Sequence, residues 1–117
     1  RQRQMCIRDS FIMTYDIYAT ESFEKEMDKL SQSDQKALKN MFSQLKENPY
    51  VGDHIRYKFF REKRLREKRM YYLIYDHLSA VLLVAFGGKK SQQDTIDEIV
   101  KLLPEYKKYI EKILQAN

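Results

Sequence analysis

The side chains able to do chemistry in this chain are mostly cations, and they are concentrated. Residues 55–69 contain Arg56, Lys58, Arg61, Lys63, Arg64, Arg66, Lys68 and Arg69 against only Glu62 and Glu67. The other 102 residues hold 14 cations and 15 acids, so the net charge of +5 belongs to one stretch. Clustered ammonium and guanidinium groups repel one another, and a polyanion such as nucleic acid relieves that repulsion. Hairpin tips and edge strands also carry lysine and arginine to stay solvated and unpaired. That accounts for Arg66, Glu67 and Lys68 better than for cations in mid-strand between aromatics. Other chemistries have less support. His54 and His77 lie in different elements without ligand spacing around them, so no metal site is expected. Cys6 is the only cysteine and cannot form an internal disulfide, which fits a reducing cytoplasm.

The elements that must position these cations follow from periodicity. The chain is 117 residues long, enough for one domain with one modest core. Residues 1–10, "RQRQMCIRDS", lack a period. "MCIRDS" resembles translated sequencing-adapter DNA, so these residues are read as a non-native or disordered extension ahead of a domain at 11–117. Phe11, Met13, Tyr15 and Ile17 alternate, predicting a strand. Thr20 caps a helix to about Leu30, and Ser31 or Ser33 caps a second to about Glu47. The short break between them predicts an antiparallel helical hairpin. Pro49 and Gly52 mark a turn. Three strands are expected at about Ile55–Arg64, Arg69–Asp76 and Ala80–Phe86, joined by hairpins. "SQQD" has the form of a capping box, Ser91 to Asp94, opening a C-terminal helix that Pro104 kinks or restarts. The longest apolar run, Ala80–Phe86, suits a buried strand, and no membrane span or secretory leader is expected.

The fold class is therefore α+β in the order β-α-α-β-β-β-α. A helical hairpin packs on an antiparallel sheet, followed by a C-terminal helix. Strand parity then sorts the basic stretch. A turn at Arg66–Glu67 sets Leu65 opposite Lys68, Lys63 opposite Met70 and Arg61 opposite Tyr72. Phe60, Tyr71, Leu73 and Tyr75 are then expected as core against the helices. Arg61, Lys63 and Tyr72 are expected on an open face.

The element order, the "NPYVG" turn, the basic strand, "YYLIY" and the strand ending "VAFGGKK" together resemble the RelE/ParE superfamily, toxins of type II toxin–antitoxin systems. The resemblance spans about residues 11–90 and rests on pattern and topology. It implies a metal-independent endoribonuclease that cuts messenger RNA on the ribosome, with no cofactor and with an antitoxin protein as partner. By position it implies catalytic roles for Arg61, Lys63, Tyr72, Lys89 and Lys90, and RNA contacts for Lys58, Arg64 and Arg69. Tyr72 stands where the family has a basic residue. The C-terminal tyrosine that many members place after the last strand has no clear match.

Cleaving RNA without metal requires aligning the 2′-hydroxyl, removing its proton, stabilising the phosphorane and protonating the leaving 5′-oxygen. Arg61, Lys63 and Lys89 or Lys90 suit the phosphorane. Tyr72, or a lysine whose pKa is lowered by cationic neighbours, suits proton transfer. Two other outcomes fit the same sequence: a ParE-like toxin that binds DNA gyrase, and an inactive relative that binds RNA without cutting it.

Overall fold

The computed structural model describes residues 14–88 and 92–116. The expected extension at 1–10, the strand positions Phe11 and Met13, and Lys89, Lys90 and Ser91 lie outside the described residues.

Strand β1 (Asp16–Ala19) leads into helices α1 (Glu21–Asp28) and α2 (Gln32–Glu47). Each helix starts at the expected cap. The Thr20 hydroxyl accepts from the Phe23 N–H at 3.2 Å, and the Ser31 hydroxyl accepts from the Asp34 N–H at 3.2 Å. Each cap satisfies an N–H that has no partner within its helix. A short 3₁₀ turn at Pro49–Val51 follows, and the Asn48 side chain accepts from the Tyr50 N–H. Strands β2 (Asp53–Ile55), β3 (Tyr57–Leu65), β4 (Lys68–Tyr75) and β5 (Ala80–Gly87) come next, then helices α3 (Gln92–Lys101) and α4 (Leu103–Ala116). Pro104 sits in the first turn of α4, where a missing N–H costs nothing, so it restarts the helix rather than kinking it.

The sheet runs β1-β5-β4-β3-β2. Its β2–β3, β3–β4 and β4–β5 pairs are antiparallel as expected, but β1 lies parallel to β5. The expected first strand of the hairpin is also divided. Arg56, with φ of 61°, separates β2 from β3. The β3–β4 register is the one parity predicts: Arg61 faces Tyr72, Lys63 faces Met70 and Leu65 faces Lys68. Arg66 holds a φ of 59° in the two-residue loop. A positive φ at the first loop position is a II′-type feature, usually given to glycine.

Both faces of the sheet are covered, and here the sequence expectation is corrected. Phe60, Tyr71 and Leu73 do pack against helices, but against α3 and α4, through Ile96, Ile99 and Ile110. The opposite face, expected to be open, carries Leu65, Met70, Tyr72, Ile74, Val81 and Leu83 under the α1–α2 hairpin. Two helical layers cover one sheet, so β4 and β5 are apolar on both faces. Their continuous apolar runs, "MYYLIY" and "AVLLVAF", are the sequence signal of two-sided burial.

Candidate nucleic-acid interface on the basic hairpin

The eight cations of the hairpin have different fates. Arg56 Nη2 meets Asp97 Oδ1 at 2.9 Å, tying the β2–β3 corner to α3. Arg66 Nε meets Asp34 Oδ1 at 3.0 Å, tying the tip to the start of α2. Arg69 Nη1 meets Glu62 Oε2 at 2.9 Å, with both side chains largely buried. This pair lies between the sheet and the C-terminal helices, beside Tyr71, whose hydroxyl burial and the Glu62 charge push up to about 12. The predicted RNA contact Arg69 is thus neutralised within the fold.

Arg61 is also occupied. Its Nε donates to the Lys58 carbonyl at 2.9 Å, and its Nη1 donates to the carbonyls of Gly52 at 2.9 Å and Tyr50 at 3.3 Å. Its guanidinium carbon lies 5.0 Å from the centre of the Tyr50 ring, and Lys58 Nζ lies 5.6 Å from the same ring. Charge-assisted bonds to three carbonyls plus a cation–π contact make Arg61 a staple for the 3₁₀ turn.

Tyr72 stands beside Arg61 in the same cross-strand row and performs the same task from the inside. It is fully buried rather than on an open face. Its hydroxyl donates to the Pro49 carbonyl at 2.6 Å and accepts from the Gly52 N–H at 3.2 Å. Burial pushes its pKa up to about 12, against the lowering pull of the Gly52 N–H and Arg61. Gly52 has no room for a side chain. A Cβ there would stand 2.5 Å from both the Glu62 carbonyl oxygen and the Tyr72 hydroxyl. The "NPYVG" turn is therefore a contact site of the fold, held by two residues that the family resemblance makes catalytic.

The Tyr50 hydroxyl completes this region by donating to Asp76 Oδ2 at 2.5 Å, while Tyr15 donates to Oδ1 at 2.7 Å. These two bonds hold the Asp76 carboxyl below its ordinary range, the Tyr50 bond most. Burial, then the Asp76 bond, pushes Tyr50 up to about 12.

Lys63, Arg64 and Lys68 remain. None of their side chains has an ion pair or hydrogen bond among the described residues. Lys63 faces Met70 and Lys68 faces Leu65, so the two lysines stand diagonally on one face of the ladder. Arg64 is exposed on the other face, opposite Arg69. The distal end of the hairpin thus carries two cations without a side-chain partner on one face and one on the other. A further pair lies outside the predicted site residues. Tyr57 and Phe59, at the start of β3, are 41% and 38% exposed and stack on each other.

Among the described residues no three His, Cys, Asp or Glu side chains gather as a metal site. No described helix is long and apolar enough to cross a membrane.

No family model matches the sequence, and no curated protein matches it. Solved structures do. A double-substituted variant of the E. coli toxin RelE in the free state is 25% identical, with a TM-score of 0.65 over 76% of this chain and 97% of that one. RelE in the intact E. coli RelBE toxin–antitoxin complex is 22% identical, with a TM-score of 0.58 over 63% and 95% of the two chains. A RelBE toxin–antitoxin complex from Mycobacterium tuberculosis gives 21%, 0.57, 66% and 93%. The chain has a RelE-like toxin fold.

Proposed function

We propose that this chain is the toxin of a type II toxin–antitoxin pair, acting in the cytoplasm as a metal-independent endoribonuclease on ribosome-bound messenger RNA. The observation that carries this reading is the distal end of the β3–β4 hairpin. There Lys63, Arg64 and Lys68 have no partner among the described residues, on a fold shared with E. coli RelE.

RNA supplies its own nucleophile. Attack of the 2′-oxygen on the adjacent phosphorus forms a phosphorane, and loss of the 5′-oxygen leaves a 2′,3′-cyclic phosphate and a 5′-hydroxyl. One proton leaves the 2′-hydroxyl and one reaches the 5′-oxygen. Lys63 stabilises the phosphorane charge, with Lys89 and Lys90 as the second cationic group. A lysine of this cluster is also the group proposed to carry the proton steps. Lys58 and Arg64 contact flanking phosphates. Arg61 contributes by holding the turn and by its charge. Tyr72, buried with its hydroxyl bonded on both sides, takes no part in proton transfer.

An antitoxin is the expected protein partner. RelE in the E. coli and M. tuberculosis complexes is bound to one. An acidic, amphipathic segment covering the distal hairpin would neutralise the unpaired cations.

Induced expression in a bacterial host tests the reading. Growth should arrest, mapped messenger 5′ ends should show new cuts, and Lys63→Ala should abolish both. Normal growth at high expression overturns it. DNA damage with intact messages indicates a gyrase-directed toxin instead. Tyr72's burial supports a second reading, RNA binding without cleavage. That reading predicts RNA binding that weakens steeply with salt and no cuts in a translating extract.

A further inference from the structure

We infer that Tyr57 and Phe59 form a stacking platform for a base of single-stranded nucleic acid, next to the hairpin cations. The RNA identity of the strand rests on the function proposed above; the platform itself rests on the geometry that follows.

The two rings lie on one face of β3, two residues apart. Their centroids are 5.1 Å apart and their planes differ by 6°. Both are more than a third exposed, whereas most large apolar side chains among the described residues are buried or half-buried. A β-bulge produces this display. In the β2–β3 ladder His54 faces Arg61, yet Ile55 faces Tyr57, so residues 58–60 are extra on the β3 side. Pairing with β4 begins only at Phe60. Residues 57–59 therefore stand outside the β3–β4 ladder, and bulges commonly re-aim side chains in this way. The arrangement is held deliberately. The Lys58 carbonyl in the bulge accepts from Arg61 Nε, and Arg56, which precedes it with φ of 61°, is anchored to Asp97. A left-handed non-glycine residue kept in place by an ion pair is a recurrent mark of a functional segment.

The surroundings select the ligand. An aromatic face is electron-rich, so it disfavours a carboxylate and favours a flat neutral ring. Lys58 sits between the two aromatic residues in sequence, and Lys63 follows on the same face as the rings. Same-face positions on a strand recur about every 6.6 Å. A planar ring joined to anionic groups at short intervals is the chemistry of a nucleotide strand. An acidic peptide satisfies the cations but leaves the ring faces without a partner. Stacking of this kind tolerates sequence, because every base has a π-face.

The test is fluorescence anisotropy on the purified chain with three probes at equal charge. These are a short 2′-O-methyl single strand, which cannot be cut, the corresponding duplex, and an abasic strand. The wild type should prefer the single strand. The double variant Tyr57→Ala, Phe59→Ala should lose about tenfold to a hundredfold in affinity for the single strand and keep its affinity for the abasic strand. Tyr57→Phe should bind as the wild type does, and the thermal midpoint of each variant controls for folding. Unchanged single-strand binding by the double alanine variant overturns the platform. So does equal loss on the abasic strand, or absence of single-strand binding by the wild type. If the double variant loses only competition by an acidic peptide, the surface is a protein site and the inference fails. Wild-type binding without growth arrest on expression removes the toxin function and leaves the platform standing.

Discussion

Arg61 and Lys63 stand two residues apart on the same face of β3, and their surroundings differ completely. Arg61 belongs to a proximal region where Tyr50, Gly52, Tyr72 and Asp76 form a closed network. Lys63 belongs to a distal region where, although Arg66 and Arg69 are paired, the side chains of Lys63, Arg64 and Lys68 have no ion-pair partner among the described residues. Sequence reading treats the two as one catalytic pair. The difference teaches that a cation's role depends on whether the fold has already provided its acceptors. Three backbone carbonyls of a tight turn and bulge claim Arg61. The nearest cross-strand neighbour of Lys63 is Met70, which can claim no cation.

If this division is right, changes in the proximal region act on stability and changes in the distal region act on function. The largest stability effect should come from Gly52→Ala, because the new methyl meets the Glu62 backbone oxygen, which cannot move away freely. Overpacking of this kind costs about 1–3 kcal/mol. Thermal denaturation should show a midpoint lower by about 4–12 °C for a chain of this size. A midpoint equal to the wild type would show that the turn is looser than its contacts indicate.

Tyr72→Phe comes next. It removes one hydroxyl and leaves the buried Pro49 carbonyl and Gly52 N–H unpaired, at a cost of about 1–3 kcal/mol read from urea unfolding. If the variant keeps wild-type growth arrest per folded molecule, Tyr72 has no part in proton transfer. A loss of arrest with unchanged stability would return it to the catalytic set and blur the comparison.

Asp76→Asn sharpens the proximal side through pH. The Asp76 pKa is depressed in the fold by the bonds from Tyr50 and Tyr15. Its contribution to stability is therefore present above the unfolded value of about 3.9 and is lost as pH falls through the lower folded value. The wild type should lose urea resistance below about pH 4 more steeply than the variant. Parallel acid limbs in the two proteins would show that the network around Asp76 contributes nothing.

The smallest stability effect belongs to the distal side. Lys63→Ala should change unfolding free energy by less than about 1 kcal/mol, because the half-buried side chain forfeits some packing but no ion pair. It should nonetheless reduce the slope of log affinity against log salt by about 0.7 for a single strand. A large destabilisation would place Lys63 with Arg61 and erase the distinction.

Much of the arrangement was legible in the residues. Thr20 and Ser31 announced two helices because a short hydroxyl side chain before an amphipathic run satisfies the first N–H groups locally. The register of Arg61 on Tyr72 followed from parity once the turn was set at Arg66–Glu67. Such features depend on neighbours in sequence, and local sterics and hydrogen bonding suffice to determine them. The fate of Tyr72 did not follow from its neighbours. Alternation assigned it a face, but only the return of the α1–α2 hairpin over that face buried it, and only the 49–52 turn supplied its two partners. The bulge that exposes Tyr57 and Phe59 likewise arises from pairing with β2 and from the guanidinium of Arg61.

The sequence by itself determined the helices and most strands, the hairpin register and the existence of one basic stretch. Each is set by interactions a few residues long. The tertiary structure alone decided which cations are neutralised, which tyrosines are buried and which aromatics meet solvent. Those outcomes depend on acceptors and apolar surfaces brought from distant segments, whose positions no local pattern encodes.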